Sequence, residues 1–228
     1  MVKAAFFDVD GTLTDTHVWE GLMDYFKAHG QRRWTHRAYW ATHMPFYFLH
    51  KAGMISEGAF RKPWAAHLAW YMRGYSLEQA QPIWDWVVTE FLSQHWRADT
   101  RRLLDRHRHE GDLVVLISGG PAPLLERIAG EIGADHVVGT QFEVRKGRYT
   151  GRSLVPICLD ENKASLAKTY LQAKGLEVDF QASSAYADSV SDLQMLEMVG
   201  VPVATYPGES LVRVAVERGW RIFPEAKG

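Results

Sequence analysis

Two carboxylates stand two residues apart at the end of a short apolar run near the start of the chain. Asp8 and Asp10 follow the run 2–7, and Gly11 and Thr12 come directly after them. Carboxylate oxygens suit a hard divalent cation, and a carboxylate can also attack phosphorus or transfer a proton. A glycine turn and a hydroxyl beside them can offer N–H groups and an oxygen to a bound oxyanion. The alternative is a strand-end turn in which the acids only cap.

A second pattern places a hydroxyl and two glycines where a strand is expected to give way to a helix. Ser118 ends the apolar run 113–117 and is followed by Gly119, Gly120 and Pro121. Proline in the first turn of a helix leaves the neighbouring N–H groups free, so an anion can bind there. Taken alone the pattern is weak, because Ser-Gly-Gly is also an ordinary turn.

A lysine at a predicted helix start forms the third pattern. Lys163 opens a helical stretch that continues to Ala173. Acidic side chains are usual at this position, because the N-terminus of a helix carries positive partial charge. The mismatch predicts an anionic partner for Lys163, such as a phosphoryl group together with a carboxylate. A solvated surface lysine is the alternative.

The fourth pattern is a second pair of acids. Asp188 follows the apolar run 182–187, and Asp192 lies four residues further on, where a helical turn would aim both side chains the same way. Asp188 can bind a metal directly, while Asp192 can orient a ligand, a metal-bound water or Lys163. The following helix can also be capped by Ser191 or Asp192, and that reading is compatible with the first.

All four patterns lie at or near the ends of predicted elements. Strands are predicted at residues 2–7, 113–117, 182–187 and 201–206. Helices are predicted at residues 124–132, 163–173 and 193–199. Strands that alternate with helices predict a doubly wound α/β domain, in which helices cover both faces of a parallel sheet. A small antiparallel hairpin is predicted over residues 141–153.

Residues 17–97, between the first two predicted strands, show helical periodicity and no strand pattern. Because this connection is far longer than a simple crossover, it predicts an all-helical cap domain inserted after the first strand. The α/β domain then consists of residues 1–16 and 98–228. The inserted segment also contains eight of the nine tryptophans and seven of the ten histidines.

Core packing accounts for most of these aromatic residues. A further hypothesis is that Tyr39, Trp40 and residues 46–49 line a pocket for an aromatic or acyl leaving group, or touch a membrane surface. Arg61, Lys62 and Arg73 can add recognition of a second anionic group. Their alternative is a solvated helix face.

Composition excludes several classes of protein. With 26 basic and 27 acidic side chains the net charge is -1, and no basic run suggests a nucleic-acid partner. One cysteine, Cys158, cannot form an internal disulfide, and residues 1–8 do not resemble a signal peptide, so a cytoplasmic protein is expected. The most apolar stretch, 39–49, is interrupted by Pro45 and is shorter than the roughly 20 residues of a membrane-spanning helix. The composition leaves the oligomeric state open.

In their order along the chain, the four patterns resemble the four motifs of the haloacid dehalogenase (HAD) superfamily, most closely its phosphoserine phosphatase-like branch, subfamily IB. The resemblance implies a Rossmann-like core with a helical cap. It implies that Asp8 is the nucleophile that forms an aspartyl-phosphate and that Asp10 is the general acid and base. It also implies that Mg²⁺ is held by Asp8, the backbone carbonyl of Asp10 and Asp188, with Asp192 supporting that site.

The same resemblance assigns the phosphoryl oxygens to Thr12, Ser118, Gly119 and Lys163. The implied activity is Mg²⁺-dependent hydrolysis of a small phosphorylated metabolite. Dehalogenases of the superfamily lack the second acid of the first motif. The presence of Asp10 therefore favours a phosphatase.

Three other functions remain open at this stage. A phosphoserine or other amino-acid-pathway phosphatase is the first, although the cap-entry glutamate of the phosphoserine enzyme is replaced by His17. The fourth motif departs from that enzyme as well, with Ala187 and Ser191 in place of its usual glycine and asparagine. A phospho-accepting signalling module and an inactive binding protein are the others. The long insert and Asp10 argue against a signalling module. The complete set of expected catalytic residues argues against an inactive protein.

Overall fold

The computed structural model describes residues 1–225 of the 228-residue chain, so the last residues of the predicted α/β domain lie outside the described part. The strands are β1 (Ala4–Phe7), β2 (Leu113–Pro121), β3 (His136–Thr140), β4 (Phe142–Arg145), β5 (Arg148–Ser153), β6 (Ser184–Ala187), β7 (Val201–Thr205) and β8 (Arg221–Phe223). Six of them form one sheet in the order β3-β2-β1-β6-β7-β8. Every neighbouring pair in that sheet is parallel.

The helices are α1 (Val18–Ala28), α2 (Arg33–Lys51), α3 (Glu57–His67), α4 (Ala69–Met72), α5 (Leu77–Trp86), α6 (Ala98–Glu110), α7 (Ala122–Ile132), α8 (Asn162–Ala173), α9 (Leu193–Glu197) and α10 (Glu209–Arg218). Residues 87–91 and 92–94 continue α5 as a π-helix and a 3₁₀ turn. Another 3₁₀ turn, at residues 190–192, precedes α9.

Two apolar clusters cover the two faces of the sheet. Alternating strand residues point to opposite faces, so Phe7 and Leu116 join one cluster while Phe6 and Ile117 join the other. The first cluster includes residues of α1–α7, and the second includes residues of α8–α10. This arrangement confirms the predicted doubly wound α/β fold.

Residues 18–94, between β1 and β2, contain only helices, as the sequence predicts. Their core is continuous with the first cluster, because buried Trp84 and Tyr39 belong to the same cluster as Phe7. No helix in residues 1–225 is both long and apolar enough to cross a bilayer.

The predicted hairpin is confirmed as the antiparallel pair β4 and β5. Other boundaries differ from the prediction. The prediction of four strands in the parallel sheet was incomplete, because β3 and β8 also belong to it. Strand β2 does not end at Ile117 but continues to Pro121, with a shift in its pairing to β3 between those two residues.

Candidate active site

The topology brings the four patterns to one edge of the sheet. Asp8 directly follows β1, and Asp188 directly follows the neighbouring strand β6. Ser118 lies in β2, on the other side of β1, and Lys163 is in the first turn of α8. The carboxyl ends of parallel strands are where ligands bind in open α/β sheets. The structure therefore places the predicted residues around one point.

Lys163 is enclosed between two carboxylates. Its Nζ lies 2.7 Å from Oδ1 of Asp8 and 2.6 Å from Oδ1 of Asp192. The residue is only 3% exposed, so the reading of a solvated lysine is wrong. Burial alone would lower the pKa of Lys163, but the two carboxylates outweigh it and hold that pKa above its ordinary value. Lys163 is thus a fixed cation at this edge of the sheet.

The acids at this edge outnumber the cation. Burial raises the pKa of Asp8 well above its ordinary value; Lys163 opposes this rise, and Asp192, Asp188 and Asp10 add to it. Burial, followed by repulsion from Asp192, raises the pKa of Asp188 to about 6. Burial is thus the main cause of the raised pKa values, and the negative charge that one lysine leaves uncompensated adds to it.

This arrangement fits a divalent cation. One carboxylate oxygen from each of Asp8, Asp188 and Asp192 lies within 4.8 Å of the others. Carboxylate oxygens are the ligands that Mg²⁺ prefers. Asp192 was predicted only to support the metal site, whereas its carboxylate lies both in this three-acid group and against Lys163.

Asp10 contacts the first helix of the inserted segment. Its Oδ1 accepts a hydrogen bond of 2.7 Å from the backbone N–H of Val18, the first residue of α1. Burial raises the pKa of Asp10, and His17 and the bond from Val18 oppose the rise. This bond joins residues eight positions apart and is not the strand-end turn that was the alternative for these acids, and Asp10 also lines the cavity over this edge of the sheet.

Two glycines keep the site compact. Gly11 has a φ of +79°, and a Cβ there would come within 2.2 Å of Oδ2 of Asp188. A Cβ on Gly119 would come within 2.5 Å of Cδ2 of Leu159. Both positions require a residue without a side chain, because the backbone passes directly against its neighbours.

The two predicted hydroxyl residues are fully buried beside these groups. Ser118 Oγ accepts a hydrogen bond from the backbone N–H of Gly120 at 3.1 Å. Thr12 Oγ1 donates to Oδ2 of Asp8 at 3.4 Å. The predicted capping of α9 by Ser191 or Asp192 is wrong, since neither side chain caps it; the 3₁₀ turn before that helix is capped by Ser189.

A cavity of about 630 Å³ lies over this edge, between the sheet and the inserted helices. Its floor consists of Asp8, Asp10, Gly119, Lys163, Asp188 and Asp192. Its walls carry the aromatic side chains of Trp19, Trp40, Tyr47, Phe60 and Trp64. Trp64 is central to these walls, with ring centroids 5.4 Å from Trp19, 5.3 Å from Trp40 and 5.4 Å from Phe60.

The predictions for the aromatic residues are partly wrong. Trp40 and Tyr47 line the cavity, as expected. Tyr39 is instead buried in the core, where its hydroxyl donates to the carbonyl of Trp64. Phe46 and Phe48 point outwards, and 44% and 62% of their surfaces are exposed.

Sequence reasoning missed Trp19, Phe60 and Trp64 as cavity residues. A signal was present for two of them, because Phe60 and Trp64 are four residues apart on α3 and so share one face of that helix.

The charged residues near the cavity mouth are already paired. Arg61 lines the cavity, and its Nη1 lies 3.2 Å from Oε1 of Glu57 and 3.6 Å from Oδ1 of Asp160. Nζ of Lys62 lies 2.7 Å from Oε1 of Glu161. Arg73 does not line the cavity, so the prediction that it reads a second anionic group is not supported. Because Glu57, Asp160 and Glu161 lie beside Arg61 and Lys62, these acids offset the positive potential that would attract a second anionic group.

Known proteins resemble this chain along its whole length. The family model of haloacid dehalogenase-like hydrolases matches residues 5–197. A histidinol-phosphatase of Neisseria meningitidis is 29% identical, over 98% of this chain and 99% of its own length. A phosphoserine phosphatase of Mycobacterium tuberculosis is also 29% identical, over 97% of this chain and 70% of its own length.

Solved structures show the same fold. A Bordetella pertussis protein of unknown function superposes with a TM-score of 0.83 at 23% identity, covering 97% of this chain and 98% of its own. A phosphoserine phosphatase solved as a phospho-aspartyl intermediate analogue gives a TM-score of 0.60 at 14% identity, covering 97% and 92%.

Proposed function

This chain belongs to the haloacid dehalogenase-like hydrolases and is a phosphatase, and we propose that it hydrolyses a small phosphomonoester in two steps, with Asp8 as nucleophile and Mg²⁺ as cofactor. The observation that carries the proposal is the buried Asp8, which faces the cavity, contacts Lys163 at 2.7 Å and lies among further carboxylates. Family membership favours this hydrolysis over a signalling or binding role.

In the first step, a carboxylate oxygen of Asp8 attacks phosphorus. The bond between phosphorus and the ester oxygen breaks, and protonated Asp10 gives its proton to the departing alkoxide. Asp10 suits this task, because burial raises its pKa and its bond to Val18 fixes one of its oxygens. An aspartyl-phosphate on Asp8 and a free alcohol result.

In the second step, a water molecule attacks the phosphorus of the aspartyl-phosphate. Asp10, now ionised, takes a proton from that water, and the bond from phosphorus to Asp8 breaks. Inorganic phosphate leaves and the Asp8 carboxylate is restored. The same residue thus acts first as acid and then as base.

Repulsion between a carboxylate and a phosphate dianion is the main obstacle to this chemistry. Lys163 places a permanent positive charge at Asp8, and Ser118, Gly119 and Thr12 supply neutral polar groups for the phosphoryl oxygens. Asp8, the carbonyl of Asp10 and Asp188 would hold Mg²⁺, with Asp192 in support. When bound, Mg²⁺ neutralises charge on the phosphoryl group.

We assign residues 17–97 to a cap domain that selects the leaving group. The aromatic walls of the cavity come entirely from this segment. Cap closure over the phosphate would separate the reacting groups from bulk solvent while leaving room for the one water molecule that the second step uses.

The aromatic walls favour a leaving group with a planar ring. The relatives suggest two substrates, histidinol phosphate and phosphoserine. Histidinol phosphate carries an imidazole ring, which can stack on Trp19 or Trp64. Phosphoserine is small and polar, and His17 stands where the phosphoserine enzyme has a glutamate. We therefore favour a ring-bearing substrate such as histidinol phosphate.

A substrate panel tests both parts of the proposal. Phosphate release from histidinol phosphate, phosphoserine and p-nitrophenyl phosphate is measured with Mg²⁺ and with a chelator, for the native protein, Asp8→Asn and the exposed control Asp24→Asn. We expect Mg²⁺-dependent turnover that is absent in Asp8→Asn and unchanged in Asp24→Asn, with the highest kcat/KM on histidinol phosphate. Activity in Asp8→Asn or without a divalent ion overturns the mechanism. A higher kcat/KM on phosphoserine overturns only the substrate assignment.

A further inference from the structure

Helix α2 carries large apolar side chains that no other part of residues 1–225 covers. Within residues 1–225, Trp34, Phe46 and Phe48 are the only exposed tryptophan and phenylalanine residues, at 77%, 44% and 62%. Met54, just beyond the helix, is 71% exposed. Single exposed apolar residues are ordinary, but a concentration of large ones on one helix indicates an interaction surface.

The spacing of these residues makes a stripe. Trp34, Arg37, Ala41 and Phe48 follow each other at intervals of three, four and seven, which places them on one side of a helix. The opposite side is occupied, since Tyr39 and His43 are buried. Large apolar groups therefore lie on both the inner and the outer side of this helix.

The charge of this region has a single sign. Between Asp24 and Glu57 the chain contains five lysines and arginines and no acid. These cations are Lys27, Arg32, Arg33, Arg37 and Lys51. Arg33, Arg37 and Lys51 are exposed and, within the described part of the chain, have no carboxylate within 4.0 Å. Arg37 instead lies over the ring of Trp34, 4.9 Å from its centroid.

This charge argues against a second copy of the chain as the occupant. In a twofold contact the same patch faces itself. Arg33, Arg37 and Lys51 would then face their own counterparts, with no acid from residues 25–56 to offset them. A negatively charged partner removes that repulsion.

We propose that the outer face of α2, with Trp34, Phe48 and Met54 at its centre and Arg33, Arg37 and Lys51 beside them, docks on an anionic lipid bilayer. Tryptophan and phenylalanine partition to the boundary between headgroups and acyl chains, and nearby cations bind the anionic headgroups. The inner face of the same helix gives Trp40, Met44 and Tyr47 to the cavity. Docking therefore brings the catalytic cavity to within about one helix diameter, roughly 10 Å, of the lipid surface.

Vesicle sedimentation tests the apolar part of this surface. The full chain is spun with vesicles of phosphatidylcholine alone and of phosphatidylcholine mixed with phosphatidylglycerol. We expect binding to the anionic vesicles and a loss of about tenfold or more in Trp34→Ser/Phe48→Ser. The control Val144→Ser/Val216→Ser removes exposed apolar groups elsewhere and should bind like the native chain. Turnover of p-nitrophenyl phosphate confirms that each variant is folded, since none of these residues lines the cavity.

Charge variants test the electrostatic part. Arg33→Gln, Arg37→Gln and Lys51→Gln should each weaken binding to anionic vesicles about fivefold, while Arg213→Gln, exposed on α10, should not. Failure of the native chain to bind anionic vesicles at low ionic strength overturns the proposal, as does unchanged binding by Trp34→Ser/Phe48→Ser. A native dimer that this double variant converts to a monomer would instead assign the face to a second copy.

Discussion

The floor of the cavity and its walls are built from chemically opposite residues. The floor holds four carboxylates and one lysine, of which Asp8, Lys163 and Asp192 are at most 3% exposed. The walls are mainly aromatic and come from α1, α2 and α3. On the floor, Asp8, Asp10, Lys163 and Asp192 each contact a specific partner, so one substitution removes a charge that no neighbour can replace. On the walls several aromatic rings form one continuous apolar surface. A substitution of one ring therefore changes the shape and the area of that surface but removes no charge.

The comparison predicts that the largest loss follows from changing the floor without changing its shape. Asp8→Asn keeps the volume of the side chain but removes the proposed nucleophile. We expect kcat to fall below detection for every phosphomonoester, while the aromatic walls still bind substrate. Steady-state phosphate release measures kcat, and equilibrium dialysis measures substrate binding. Normal turnover in Asp8→Asn would mean that the floor does not carry the chemistry.

Lys163→Met should reduce both activity and stability. Loss of the lysine leaves Asp8 and Asp192 as buried carboxylates without a cation, at a cost of about 3–5 kcal/mol in the free energy of unfolding. Urea unfolding in the presence of a chelator measures this cost. Lys168→Met, exposed on the same helix, should change stability by less than about 0.5 kcal/mol. Equal stabilities for the two variants would contradict the account of the floor.

Substitution of an aromatic wall residue should change the choice between substrates more than it changes the rate of phosphate release. Trp64→Ala removes the ring that contacts Trp19, Trp40 and Phe60. The ratio of kcat/KM for a ring-bearing phosphate to that for a small polar phosphate should fall about tenfold or more. Because both values come from one preparation, the ratio does not depend on how much protein is folded. Trp34→Ala, which changes an exposed ring, should leave the ratio unchanged; an equal fall there would remove the distinction between wall and surface.

The smallest effect is expected at the charged contact between the inserted segment and the loop before α8. Lys62 and Glu161 are 37% and 57% exposed, so Lys62→Ala should lower stability by less than about 1 kcal/mol. The difference from the native chain should vanish at high salt, because exposed charges are screened. Thermal unfolding across a salt series measures it. Arg213→Ala, which breaks an exposed pair within one helix, is the control.

The composition of the floor could be predicted from sequence because neighbouring parallel strands end at one edge. Once β1 and β6 were assigned, Asp8 and Asp188 had to lie close together. The catalytic roles of these residues remain predictions that the variants above test. Strands β3 and β8 were missed because each lies at an edge of the sheet and has only two apolar residues. The glycines that read as a turn after Ile117 lie within β2, where its pairing shifts.

The walls could not be predicted residue by residue, because hydrophobicity does not reveal which way a helix faces. Tyr39 and Trp40 are adjacent and similar, yet one is in the core and the other in the cavity. Tyr47 and Phe48 differ in the same way, one lining the cavity and the other exposed. Their directions depend on how α2 packs against α3 and α4, which the sequence of α2 does not contain.

Detection of a phosphoryl group on Asp8 tests the proposed nucleophile most directly. The protein is mixed with Mg²⁺ and p-nitrophenyl phosphate, quenched in acid within one turnover, digested and examined by mass spectrometry. We predict a single phosphorylated peptide that contains Asp8 and is absent from Asp8→Asn. Hydroxylamine should release its phosphate and leave a hydroxamate on Asp8, as it does with an acyl phosphate. Phosphate found instead on Ser118 or Thr12, or full turnover with no phosphorylated peptide at any quench time, would contradict the account.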